Sequence, residues 1–294
     1  MTQRDLSSRF ILENTNVRGE IVHLDDCWQA VLDRYDYPLI IQKLLGEAMT
    51  ATVLLTSTLK YEGSLTLQIQ SKGPLSLLVV QIKSDSTLRG TAEWNENISS
   101  NSLTELCEEG ILTITIEPKD GKERYQSIIN ISHSTLSETI ESYFQQSEQI
   151  DTRLWLTSDN NRTAGMLIQK LPDDNPQDID NDAWNRIEQL ASTITDAELL
   201  TLTSKKILHR LFNQENIRLF KPKIIRFHCD CSKKRITNML RGISHEELQS
   251  IIKKDGQVNI NCSFCRKHYT FDIIDIEAIF ASENLPNDSL KDKH

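Results

Sequence analysis

The sequence predicts an α+β protein in three parts: an N-terminal antiparallel-sheet domain with packed helices over 1–171, an acidic helical linker over 172–220, and a small cysteine-rich domain over 221–294. Three observations lead there. Short alternating apolar runs broken by turn signals fill the stretch from Ser64 to Ile131, the pattern of hairpins in an antiparallel sheet. The composition breaks after Pro172, where Asp173, Asp174, Asp178, Asp180 and Asp182 crowd around Pro176. Four of the six cysteines gather beyond residue 228, as Cys229, Cys231, Cys262 and Cys265.

Taken in order, Phe10–Leu12 and Val17–Leu24 predict strands, with Gly19 marking a bulge. Asp25-Asp26 caps a helix running to about Tyr35. Pro38 suits the first turn of the next helix. That helix carries Leu39, Ile40, Leu44, Leu45, Ala48, Val53, Leu54 and Leu55. It is apolar on more than one face, which predicts a buried central helix. Strands follow at Ser64–Gln70, Leu75–Ile82, Leu88–Trp94, Leu112–Ile116 and Tyr125–Ile131, the last two joined through Asp120-Gly121. Leu136–Gln146 returns to helical spacing, and Leu154–Leu156 and Met166–Ile168 close the sheet. Beyond the acidic break, Ala183–Ile194 and Ser204–Phe212 read as short amphipathic helices. Helices of this length are marginal alone in water, so their apolar faces need a surface to dock on.

The chain carries 33 basic and 42 acidic side chains, a net charge of −9. The charge is uneven. From Lys221 onward there are 13 basic against 10 acidic residues, while residues 1–220 hold 20 against 32. An acidic body has no general attraction for phosphate backbones or anionic membranes. No run approaches about 18 consecutive apolar residues, so no membrane-crossing helix is expected. The N-terminus Met1-Thr2-Gln3-Arg4-Asp5 lacks the apolar stretch of a signal peptide, so a cytoplasmic location is expected.

In a reducing compartment, clustered cysteines suggest metal or redox chemistry before structural disulfides. Cys229-x-Cys231 and Cys262-x-x-Cys265 form two close pairs separated by thirty residues. Each pair offers two thiolates from one turn, and a fold-back brings the pairs together as four ligands for one zinc ion. Four unrelated reduced thiols would not account for two such pairs. His228 and His268 flank the cysteines, but four thiolates already complete a structural site. Cys27 and Cys107 stand apart and read as packed, inert thiols.

A catalytic zinc keeps an open position, which four cysteines do not leave. His245-Glu246-Glu247 spells half of a zinc-deaminase pattern, but Asn261 rather than proline precedes Cys262. Phosphate-loop, dinucleotide-binding, nucleophile-elbow and zincin motifs are missing from the sequence. No enzyme is expected. Lys233, Lys234, Arg235, Arg266 and Lys267 beside the cysteine pairs keep a zinc-ribbon nucleic-acid binder as the alternative. The tail has 74 residues and can bury only a small core. Zinc contributes on the order of 10–16 kcal/mol to such modules, so losing it should unfold this one. Oxidation within the close thiol pairs would remove the thiolates that hold the ion.

The cysteine pattern at this position resembles the redox-regulated chaperones of the heat-shock protein 33 family. The resemblance extends through Asn16-Val17-Arg18-Gly19-Glu20, Asp36-Tyr37-Pro38, Leu59-Lys60-Tyr61-Glu62-Gly63, Gly73-Pro74-Leu75, Arg89-Gly90, Glu123-Arg124-Tyr125-Gln126 and Tyr143-Phe144-Gln145-Gln146-Ser147-Glu148-Gln149. Ser127 departs from it, standing where the family pattern has glycine. The resemblance implies an ATP-independent holdase, inactive when reduced and zinc-bound. It implies activation by oxidation of Cys229 with Cys231 and of Cys262 with Cys265 to disulfides, with zinc release. The activated, dimeric form would bind unfolding client proteins, with no nucleic acid or membrane partner. Within that scheme the Cys262–Cys265 pair is expected to oxidise first, because a four-residue turn meets disulfide geometry more readily than Cys229-Asp230-Cys231.

Overall fold

The structure is a computed structural model that describes residues 5–58, 62–95, 98, 100, 102–119, 121, 123–172 and 182–281. The acidic stretch at Asp173, Asp174, Asp178 and Asp180, Asp120 of the expected turn, and Leu59-Lys60-Tyr61 lie outside these residues. The chain divides into two compact units, Met1–His228 and Cys229–His294.

The first unit runs β1 (Leu6–Leu12), β2 (Val17–Leu24), α1 (Asp26–Leu32), α2 (Leu39–Thr58), β3 (Gly63–Gln70), β4 (Leu75–Lys83), β5 (Thr87–Trp94), α3 (Leu103–Leu106), β6 (Ile111–Pro118) and β7 (Tyr125–Asn130). It continues through α4 (Leu136–Tyr143), a π-helical turn at Phe144–Glu148, β8 (Thr152–Ser158), β9 (Thr163–Lys170), α5 (Ala183–Ala191), α6 (Asp196–Thr201), α7 (Ser204–Phe212), β10 (Ile217–Leu219), β11 (Lys223–Ile224) and β12 (Arg226–Phe227). One sheet has the order β10-β1-β2-β9-β8, with β11 also paired to β1; the second has the order β12-β5-β4-β3-β6-β7. The pairings are antiparallel, as expected from the alternation, except that β12 joins β5 in parallel.

Helix α2 packs against strands of both sheets. Over Leu39–Thr56 it is long and apolar enough to cross a membrane by length and composition, but 67% of that window is buried in the protein. Ile41, Leu45, Ala48, Met49 and Leu54 are among its fully covered positions, so it is the core helix that its two apolar faces predict. Side chains on a strand alternate between faces, and β2 shows this directly. Val22 and Leu24 join the α2 core, while Val17 and Ile21 face the other way.

That second face is covered by the helices expected as a linker. Trp184, Ile187, Ala191, Leu199, Leu208 and Phe212 cluster with Phe10, Ile21, Met166 and Ile168. Helices α5 to α7 thus sit inside the first compact unit. Arg153 bonds Glu188 at 2.6 Å and Arg186 bonds Glu215 at 2.9 Å at the edges of this layer. His23 Nε2 donates to the Leu199 carbonyl, 3.0 Å away, and burial holds its pKa below the ordinary value.

Several local expectations change. Gly19 marks no bulge: it pairs in register with Phe10 and Ile168. Its reason is close approach, since a Cβ there would meet the Phe10 ring at 2.2 Å. The first helix ends at Leu32, and the one from Leu136 passes at Phe144 into a π-helical turn, which the left-handed Gln149 (φ 56°) ends. Strands β10 to β12 carry no alternation long enough to read from sequence. Ser127 is nearly buried, and its hydroxyl lies 2.8 Å from that of Tyr143, tying β7 to the end of α4.

The second unit comprises α8 (Lys233–Leu240), α9 (His245–Asp255), β13 (Val258–Asn261), β14 (His268–Phe271) and α10 (Ile273–Ala281). Its two strands form a hairpin, and Leu240, Leu248, Val258, Tyr269, Phe271, Ile276 and Ile279 make its core.

Candidate metal centre

Two turns supply the four thiols. Cys229 and Cys231 lie between β12 and α8, and Ser232 then caps α8 by accepting from the Arg235 N–H. Cys262 and Cys265 lie in the β13–β14 turn. The Cys262 N–H donates to the Lys267 carbonyl at 3.0 Å, and the Arg266 N–H donates to the Cys262 carbonyl at 2.8 Å. Closing this turn holds Arg266 at φ 60°, the left-handed region that favours glycine.

The four sulfurs lie within 4.8 Å of one another. Cys229 and Cys262 are 3.6 Å apart, and Cys231 and Cys265 are 3.2 Å apart. A tetrahedral ion with Zn–S bonds of about 2.3 Å would set every sulfur pair about 3.8 Å apart. Four soft sulfur donors gathered at this range fit such an ion. Both of these close contacts run between the two turns, so an ion there would join them.

Electrostatics favour the same reading. Burial pushes the Cys265 thiol up to about 12, reinforced by bonds to its neighbouring thiols, against a backbone N–H from Lys267. Burial likewise raises Cys262, although the N–H groups of Cys265 and Phe264 favour its thiolate. Four crowded thiols cannot all ionise by themselves, whereas a divalent cation reverses that balance and deprotonates its ligands.

The other candidates fall elsewhere. His268 places one ring nitrogen 2.8 Å from Asn261 Oδ1 and the other 3.1 Å from the Thr270 hydroxyl, and neither histidine joins the thiol cluster. Cys27 and Cys107 are buried in the α2 core, and burial raises both, Cys107 to about 12. His245 bonds Glu277 at 3.0 Å on the second unit's surface. Of the basic residues beside the cysteines, Lys233 pairs with Asp275 at 2.9 Å and Arg235 with Asp230 at 3.4 Å. Sequence reasoning missed Tyr269, whose hydroxyl donates to the Cys231 sulfur at 3.2 Å. Its place beside the second cysteine pair gave no sign that it would reach the first.

Comparison with known proteins agrees with the site. A family model described as Hsp33 protein matches residues 5–272. The chain is 48% identical over 276 residues to a 33 kDa chaperonin of Methylobacillus flagellatus, covering 94% of each. It is 44% identical over 283 residues to a 33 kDa chaperonin of Nitrosococcus oceani, covering 96% of each. The crystal structure of a 33 kDa chaperonin (heat shock protein 33 homolog) from Thermotoga maritima superposes with a TM-score of 0.79. It covers 95% of this chain and 99% of that one at 20% identity, a likeness of fold. With a family match over nearly the whole described chain and the four thiols gathered at one point, this protein belongs to the Hsp33 family of chaperones.

Proposed function

We propose that the chain is a redox-regulated, ATP-independent holdase of the cytoplasm. In the reduced state, Cys229, Cys231, Cys262 and Cys265 hold one zinc ion and the protein is inactive. A peroxide then oxidises Cys262 with Cys265 and, later, Cys229 with Cys231. Each disulfide forms as two thiolates give up two electrons, and peroxide takes these electrons with two protons from solvent and is reduced to two waters. The oxidised sulfurs no longer serve as thiolate ligands, so the ion is released. The second unit then unfolds, the packing of α5 to α7 loosens, and the apolar face of the first sheet becomes available to unfolding clients. The active form is a homodimer, and its partners are proteins rather than nucleic acid or membrane.

The observation that carries this reading is the gathering of four sulfurs within 4.8 Å in a unit with so small a core. The pairing of Lys233 and Arg235 with carboxylates weakens the nucleic-acid alternative. The test is zinc content and suppression of client aggregation, each measured before and after peroxide. One zinc and no activity before, with zinc release and activity after, is expected. Full activity in the reduced, zinc-loaded protein would sink the switch, and early accumulation of a Cys229–Cys231 disulfide would reverse its order.

A further inference from the structure

Tyr269 lies on β14, where Ile260 of β13 is its register partner. Its ring is part of the second unit's core, with only 8% of the residue exposed. Its hydroxyl reaches past the turn carrying Cys262 and Cys265 and donates to Cys231 of the other thiol pair. Cys262 and Cys265 receive backbone N–H groups of their own turn as well as contacts from neighbouring thiols. Tyr269 differs from these groups in being an oxygen donor from a side chain outside the four thiols that bonds a sulfur of the distant pair.

Resting on the zinc reading above, we propose that Tyr269 is a positioning residue of the metal centre: its phenol O–H, donated to Cys231 Sγ, holds the Cys229-x-Cys231 half of the site against the hairpin core and slows metal release. A hydrogen bond to a metal-bound thiolate spreads the sulfur's charge and fixes the direction of its lone pairs. Loss of such outer partners typically lowers metal affinity by 10–100-fold. Lys267 strengthens the donor, because its ammonium stands 5.5 Å from the Tyr269 ring centroid and draws electron density from the phenol. Packing adds a second link. Cys231 itself contacts the core cluster that contains Tyr269. The same residue therefore joins the metal to the packed interior of the unit.

Tyr269→Phe removes the hydroxyl and keeps the ring. In the full-length reduced protein, the variant should surrender zinc to a competing chelator about 10- to 100-fold more readily than the wild type. Cobalt substitution provides a reading that packing alone would not move. Without the donor, sulfur gives up an electron more easily, so the sulfur-to-cobalt charge-transfer band should shift to longer wavelength. A third measurement needs no variant: in the zinc-loaded wild type, the Tyr269 hydroxyl proton should exchange slowly enough to give its own NMR resonance. Unchanged zinc release together with an unchanged cobalt band overturns the assignment, as does fast exchange of the wild-type hydroxyl proton. A wild type that binds no zinc would instead defeat the zinc reading itself, which separates the two failures.

Discussion

In the first unit, α2 lies against both sheets and α5 to α7 cover the outer face of one of them, so buried apolar side chains form two extended clusters. In the second unit, the buried cluster among the described residues is seven side chains, and the four thiols lie at its margin, with Cys231 touching it. Apolar burial stabilises by roughly 25 cal/mol per Å², so the first unit has ample driving force from packing alone. The second has a smaller buried cluster, and its two cysteine-bearing turns meet where four sulfurs converge. One chain thus combines a body held by two large apolar clusters with a small module whose two cysteine-bearing turns are gathered at four thiols.

The largest expected effect breaks the comparison at its centre. Stripping metal from the reduced protein should unfold the second unit, because the ion contributes on the order of 10–16 kcal/mol to such modules. Hydrogen exchange should then show lost protection in α8, α9 and the β13–β14 hairpin, with β2, β9 and α2 unchanged. Persistent protection in the hairpin after chelation would mean that the small core suffices.

A smaller effect tests the outer layer of the first unit. Phe212 is 1% exposed and packs within the cluster that holds α5 to α7 on the sheet, its ring 6.3 Å from that of Phe10. Phe212→Ala should cost about 3–5 kcal/mol. Because the loss falls on the covering helices, the variant should suppress client aggregation partially without any oxidant. A destabilised variant with no such activity would separate the helical layer from client binding.

The smallest effect concerns pH in the body alone. Burial raises the Glu47 carboxyl to about 7, with Lys43 opposing and Asp196 adding to the shift. A carboxyl whose folded pKa is raised binds its proton more tightly in the native state. Its stabilising contribution is therefore full below its unfolded value and declines as pH rises to about 7. Glu47→Gln should match the wild type near pH 4 and exceed it near pH 8 by up to about 3 kcal/mol, at 1.36 kcal/mol per pKa unit. Thermal melts across this range check it, and the difference should be absent from the second unit's own transition.

Much of this was legible in the residues. Val17–Leu24 and Ser204–Phe212 form the elements their patterns predict, at the same boundaries. The apolar faces of α2 announced a buried helix, and the spacing of Cys229, Cys231, Cys262 and Cys265 announced a shared site. These signals are local: a period of two or 3.6 residues, or two thiols on one turn, is fixed by backbone geometry. Strands β10 to β12 are two or three residues long and owe their form to the edges of β1 and β5. Gly19 is a glycine because the Phe10 ring from the neighbouring strand occupies the space of a side chain.

The sequence by itself determined the class of the fold, the gathering of four thiols and the need of the acidic-linker helices for a surface, since each follows from spacing along the chain. Only the tertiary structure decided which surface that is, the face bearing Phe10, Ile21 and Met166. It alone brought the Tyr269 hydroxyl to a sulfur 38 residues away and pushed the Cys265 thiol up to about 12. These depend on distances between atoms remote in sequence and on how much water they lose, and no local pattern encodes either quantity.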